Sequence, residues 1–374
     1  MQLKLFLLLL LPMQLFATVN QVNGTVMDAG SHKPVAGARV FINRSMVYSV
    51  TDEIGKFIIT DSLLLPEELV VSMPGYETMV YQVNEGKSNL LVRFELVKKS
   101  AEHYTIDSSK IHQYQQLFLS HFLGSTYNTA ETLVTNPEVL QYNFNEATGT
   151  LSVKSSVMLQ IINDGLGYMI HYQLDTFSLI LIKNISDFRG YCFFTPLKTQ
   201  KPFILSKWDM HRQLAYNGSM LHFMRALKKN TAPDEGFIIR KVVRILETEN
   251  GYKSALKSKY LVRSGSINGR GIQTAYAEVV DQKPLTSANM GKTDSANQTY
   301  FHYGQPLLVE WVDKAPKTFL GSEEIPQMIS LLTFGNDPLR VFENGLYFDA
   351  TDLFVMGFMQ EKISDLLPIE YVKL

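Results

Sequence analysis

Between residues 22 and 96, apolar and polar positions alternate with period two, the spacing that lays side chains along one face of a β-strand. The clearest run is 89–96, where Leu90, Val92, Phe94 and Leu96 are set one way and Leu91, Arg93 and Glu95 the other. Ala38, Val40 and Ile42 alternate similarly, as do Phe57 and Ile59, while Val71 and Met73 lead into a Pro74-Gly75 turn. No helical period competes here. The turns carry their own chemistry. Pro34 has no N–H to give a ladder and suits a strand entrance, and Gly37 permits a bulge or close backbone approach just before the next strand. In Thr51-Asp52-Glu53-Ile54-Gly55, the Asp52 carboxylate is set to accept turn amides and Gly55 to take positive φ, delivering Phe57 to the core. Asp52 therefore reads as turn structure rather than as a metal ligand or catalytic acid.

A polar, charged and weakly periodic stretch, 98–109, reads as a linker. Beyond it 114–123 patterns as a short helix. Strands are expected at 139–144, 151–153, 158–162, 168–174, 177–182, 237–246 and 307–311, with Asn163-Asp164-Gly165 a tight-turn signal and 286–299 a loop. Helices and strands mix without βαβ alternation, which predicts an α+β unit rather than a doubly wound sheet. The expected organisation is multidomain: a leader at 1–17, an all-β sandwich at 21–97, the linker at 98–109 and a larger α+β domain at 110–374.

One long helix is expected at 207–229. At 100° per residue Trp208, Ala215, Tyr216, Met220, Phe223, Met224, Ala226 and Leu227 make a wide apolar face that takes in Arg212 and Ser219. His211, Gly218, His222, Arg225 and Lys229 form a separate polar stripe. A guanidinium on a core-facing position must meet a carboxylate or other acceptor oxygens. Two readings follow. The favoured one is a structural ion pair with an acid of a neighbouring sheet; the other is an anion clamp assisted by neighbouring side chains, which makes Arg212, Tyr216 and His222 the candidate ligand-binding residues.

Composition narrows the function. Acidic and basic residues nearly cancel, 36 against 35 in 374, so no strong field is available to hold nucleic acid, and none is expected as a partner. Residues 1–17 carry Lys4, an apolar run at 5–11 and Ala17, a secretory signal pattern with removal expected near Ala17. No later stretch approaches the ~18 to 20 apolar residues of a spanning helix. The mature chain is therefore expected to be soluble or peripherally held at a membrane. Cys192 is the single cysteine, flanked by Tyr191 and Phe193, and reads as a packed strand residue.

Several motifs fail on inspection. Gly291-Lys292-Thr293 and Gly86-Lys87-Ser88 imitate a phosphate-binding loop, but the glycine required five residues earlier is Thr286 in one and Tyr81 in the other. Gly165-Leu166-Gly167 and Gly269-Arg270-Gly271 lack the third glycine of a dinucleotide fingerprint, and Gly265-Ser266-x-x-Gly269 has the wrong spacing for a nucleophile elbow. No catalytic residue, metal site or cofactor is expected.

Gly24-x-Val26-x-Asp28, Pro34-Val35-x-Gly37-Ala38, Thr51-Asp52-x-x-Gly55-x-Phe57 and Gly75-Tyr76 resemble the carboxypeptidase regulatory-like domain. The resemblance implies a transthyretin-like seven-stranded sandwich that serves as an accessory module. It does not imply peptidase activity. Metallocarboxypeptidases of that kind need a His-x-x-Glu pair for zinc, and none of the eight histidines has Glu at +3 or +4. Phe122-Leu123-Gly124, Asn136-Pro137-Glu138, Leu166-Gly167-Tyr168, Arg212-x-x-x-Tyr216-x-Gly218-Ser219-x-x-His222 and Leu367-Pro368 resemble an uncharacterised C-terminal region found with that domain in exported proteins of Gram-negative bacteria. That resemblance implies the periplasm or the outer membrane and supplies no activity.

The leading expectation is a non-enzymatic, exported cell-envelope protein with a binding or accessory role toward a glycan, a peptide or an envelope protein. The alternative is an envelope hydrolase or transferase with an unrecognised site near Arg212, Tyr216 and His222. A deep pocket with convergent polar groups beside the helix favours the second, and a filled surface the first.

Overall fold

The computed structural model describes residues 19–63, 67–83, 89–99, 108–269, 272–293, 299–312, 328–348 and 353–373. The leader at 1–17, most of the linker at 98–109, Gly86-Lys87-Ser88 and Arg270-Gly271 lie outside the described residues. The chain divides into two compact units, one of residues 1–43 and 47–102, the other of residues 44–46 and 103–374. It is multidomain and strand-rich, with an N-terminal β-sandwich followed by a larger α+β region.

The first unit contains β1 (Val19–Asp28), β2 (Arg39–Ile42), β3 (Tyr48–Val50), β4 (Lys56–Leu63), β5 (Glu67–Ser72), β6 (Met79–Val83) and β7 (Asn89–Leu96). They form two sheets, ordered β4-β1-β7 and β3-β2-β5-β6, with β1 and β7 parallel. Val92, Phe94 and Leu96 are buried while Leu91, Arg93 and Glu95 are exposed, as the alternation requires. Phe94 lies 5.9 Å from the Phe57 ring in its own sheet and 6.0 Å from Tyr81 of the other.

The turn chemistry accounts for the motifs. Asp52 accepts from the Ile54 and Lys56 amides at 3.0 and 2.8 Å. Gly55 has φ +73°, and a Cβ there would stand 2.5 Å from the Val26 carbonyl. The buried Thr51 hydroxyl donates to Val35 O at 2.7 Å and accepts from Ala38 N at 2.8 Å, tying the segment before β2 to the turn before β4. Asp28 accepts from the Ser31 amide, the Ser31 hydroxyl and Tyr76 Oη at 2.6, 2.8 and 2.9 Å. These bonds, the Ser31 amide foremost, hold its carboxyl below the ordinary aspartate range.

The second unit begins with α1 (Ile111–Leu123), followed by β8 (Thr132–Val134), β9 (Leu140–Asn145), β10 (Thr150–Ser155), β11 (Leu159–Asn163), β12 (Tyr168–Ile180) and β13 (Ile185–Pro196). The strands form a sheet ordered β8-β11-β12-β10-β9, with β13 also on β12. The expected strands 168–174 and 177–182 are one strand with a register shift between Leu174 and Thr176. Phe118 and Phe122 of α1 meet Phe177 and Tyr172 of β12 edge-on at 4.9 and 5.2 Å, at the centre of the first core. Cys192 is buried in β13, where burial pushes its thiol pKa up to about 12.

After α2 (Pro202–Tyr216) and α3 (Met220–Lys229) come β14 (Phe237–Leu246), α4 (Tyr252–Leu256), β15 (Leu261–Gly269), β16 (Ile272–Val280), β17 (Gly291–Thr293), β18 (Thr299–Phe301), β19 (Leu307–Trp311), β20 (Met328–Phe334), β21 (Leu339–Val341), β22 (Tyr347–Phe348) and β23 (Leu353–Gly357). Two further sheets are ordered β15-β16-β14-β19-β20-β23 and β17-β18-β21-β22. Gly291-Lys292-Thr293, expected within a loop, pairs with β18. Met220, Phe223, Met224 and Leu227 of α3 pack with Phe237, Ile239, Leu307 and Val309 in the second core. Among the described residues no helix is long and apolar enough to cross a membrane.

Candidate functional site

The helix expected at 207–229 is two helices. Asn217-Gly218-Ser219 breaks it: Gly218 takes φ +75°, and Ser219 caps α3, its hydroxyl accepting from the His222 amide at 3.2 Å. The apolar and polar faces drawn on a continuous helix therefore do not survive the junction. Every residue of α3 from Met220 to Leu227 is buried, so His222 and Arg225, expected on a polar stripe, lie inside. Arg212, expected in the core, keeps 19% of its side chain exposed on α2.

Among the described residues Arg212 has no sheet carboxylate as ion-pair partner. Its Nε donates to Leu166 O at 2.8 Å, and its guanidinium sits 4.4 Å from the Tyr168 ring centroid. Its ion-pair partner among the described residues is the exposed Asp209, 3.7 Å away on the same helix. Trp208 Nε1 donates to Asp164 O at 2.8 Å, and a Cβ on Gly167 (φ +72°) would stand 2.3 Å from the Trp208 ring. Trp208 and Arg212 thus satisfy carbonyls of the β11–β12 turn, and only glycine leaves room for the indole.

Tyr216 and His222 do meet, with ring centroids 4.7 Å apart. His222 Nδ1 accepts from the Gly218 amide at 3.0 Å, which leaves Nε2 to carry the proton and donate to Glu235 Oε2 at 2.8 Å. Burial pushes the imidazole pKa down against the raising effect of Glu235. Arg225 donates to Asn344 O, Tyr371 O and Ile369 O at 2.9, 2.7 and 2.7 Å, a clamp on residues near the end of the chain. Tyr216 and His222 are thus brought together while Arg212 turns to the β11–β12 turn, and all three are engaged with protein groups.

Two clefts flank Lys362, which sequence reasoning missed. The smaller, about 100 Å³, is lined by Thr126, Ser219, Leu221, Lys362, Asp365 and Leu366 among others. Asp365 accepts there from Thr126 Oγ1 at 3.0 Å and Asn128 Nδ2 at 2.7 Å, and burial raises its carboxyl pKa. The larger, about 230 Å³, is lined by His121, Asn184, Ser186, Phe354, Gln360 and Lys362, with Met356 beside Phe354. Lys362 Nζ donates to His121 O at 3.2 Å and Gln360 Oε1 at 3.4 Å, so it caps the C-terminus of α1. Its stem crosses Gly124, where a Cβ would meet Lys362 Cγ at 2.7 Å. Burial pushes the ammonium pKa down. His121 Nδ1 lies 3.1 Å from Ser186 Oγ, and burial first, Lys362 second, lowers its pKa. The one trace of this arrangement in the sequence is Gly124.

Residues 22–106 match the CarboxypepD_reg-like domain family, so the first unit carries such a domain. No curated protein matches the chain. Among solved structures, a chain of a type II cohesin–X-dockerin complex from Acetivibrio cellulolyticus is similar at 16% identity and TM-score 0.20, over 23% of this chain and 61% of that one. A protein of unknown function from Bacteroides fragilis, provisionally described as membrane-associated, is similar at 10% identity and TM-score 0.18, over 90% and 93%. A protein from Bacteroides uniformis, provisionally described as carbohydrate-binding, is similar at 6% identity and TM-score 0.16, over 91% and 99%. Likeness of this order does not define a shared fold.

Proposed function

We propose that the protein is a non-enzymatic, exported cell-envelope protein whose role is to bind a glycan, a peptide or an envelope protein, with its leader removed near Ala17. The observation that carries this reading is the CarboxypepD_reg-like domain at residues 22–106, which the resemblance describes as an accessory module. The state of His222 supports it. With Nδ1 accepting a backbone amide and Nε2 donating to Glu235, the ring is not positioned to take a proton from a bound molecule. The test is equilibrium binding of the purified full chain to envelope glycans and peptides, with mass spectrometry of the recovered ligand. Retention of unaltered ligand is the expected result. Conversion of the ligand overturns the reading, and N-terminal sequencing that finds Met1 intact in native material overturns export.

A further inference from the structure

The cleft of about 230 Å³ beside Lys362 has a chemistry of its own. An ammonium carries three donors, and two of those on Lys362 are taken by His121 O and Gln360 Oε1. Among the described residues no carboxylate lies within ion-pair reach of it, and the described lining contains none. A partly buried cation lacking a counter-ion is costly unless an anion comes to it. Around it stand polar side chains from three places: His121 of α1, Asn184 just before β13, and Ser186 of β13, whose Oγ lies 3.1 Å from His121 Nδ1. Phe354 and Met356, which also line the cleft, share one face of β23, and both are substantially exposed.

We infer that this cleft is a binding site for a sugar acid, with the carboxylate on Lys362, hydroxyls on His121, Asn184 and Ser186, and one sugar face against the Phe354 ring. The inference rests on the binding reading above and adds to it a place and a ligand class. Size limits the ligand to one residue or a chain end, because drug-sized pockets run from about 300 to 1,000 Å³. The aromatic wall favours a sugar ring over a small inorganic anion, since an aromatic face contributes only where the ligand has a face to lay on it.

The test is calorimetric titration of the purified full chain with galacturonate, glucose, inorganic phosphate and a short peptide with a free C-terminus. Saturable binding of galacturonate at least about tenfold tighter than glucose is expected, because the charged hydrogen bond is present only with the acid. Lys362→Gln should cost about tenfold in galacturonate affinity and leave glucose unaffected. That variant also alters the cap of α1, so Phe354→Ala provides a second readout on an exposed side chain and should weaken galacturonate about threefold without moving the melt. Equal affinity for galacturonate and glucose overturns the inference. So does preference for phosphate or the peptide, or indifference to both substitutions. If galacturonate fails while another envelope ligand is retained unaltered, the inference falls and the binding reading stands; turnover of a retained ligand removes the reading itself.

Discussion

At the scale of single residues, burial and partner decide what each polar side chain is worth. His222→Ala removes the acceptor of the Gly218 amide and the donor to Glu235 inside a buried helix, so a loss of about 1 to 3 kcal/mol is expected in chemical denaturation. Its pKa is lowered in the fold, so the unfolded chain takes the proton first. The stabilisation is complete above about pH 6.5 and fades as pH falls through the folded pKa. Melts at pH 7.5 and 5.5 should therefore differ less for the variant than for the parent. Asp28 behaves in the same direction lower on the scale. The advantage of the parent over Asp28→Asn should be full above about pH 4 and shrink below it, and a difference that stays constant down to pH 2.5 contradicts the account. Among the described residues, Arg212→Met orphans no buried carboxylate; it gives up the Leu166 carbonyl, the Tyr168 and Trp208 faces and the exposed Asp209, so a loss of about 1 kcal/mol is expected. A loss above about 3 kcal/mol is the signature of an orphaned buried charge and contradicts this geometry.

At the scale of elements, glycines decide where helices stop and what they dock on. Gly167→Ala must both hold positive φ and displace the Trp208 ring, so a loss of about 2 to 4 kcal/mol is expected, with a change in tryptophan fluorescence as the local readout. The sandwich was legible because several of its strands announce themselves locally, by two-residue alternation in β2, β4 and β7 and by Pro34, Gly37, Asp52 and Gly55 at the turns, while β3 and β6 carry no such signal. The break between α2 and α3 was not. Apolar spacing runs through Asn217-Gly218-Ser219 as though the helix continued, and the Ser219 cap competes with that periodicity only once α3 is buried on every side. Strand β15 escaped for a different reason: "LVRSGSING" is rich in glycine and serine and lacks a clear alternation. The cleft at Lys362 left little beyond Gly124 to read, since His121, Ser186, Phe354 and Lys362 are adjacent only after three separate segments have packed.

At the scale of the whole molecule, the two units invite a test of the domain boundary proposed at 98–109. Limited proteolysis should cut there first, and a fragment of about 75 residues should fold alone, near the small end of independent domains; a single cooperative melt with no stable fragment contradicts the boundary. Within the second unit, the Arg225 clamp sets an order of events. Its guanidinium must wait for carbonyls 144 and 146 residues downstream. At roughly 5 to 20 residues per second of synthesis, that interval is on the order of ten seconds. Until then the clamp on Arg225 lacks two of its three carbonyls, so α3 gains those bonds only after the segment reaching Tyr371 has been made.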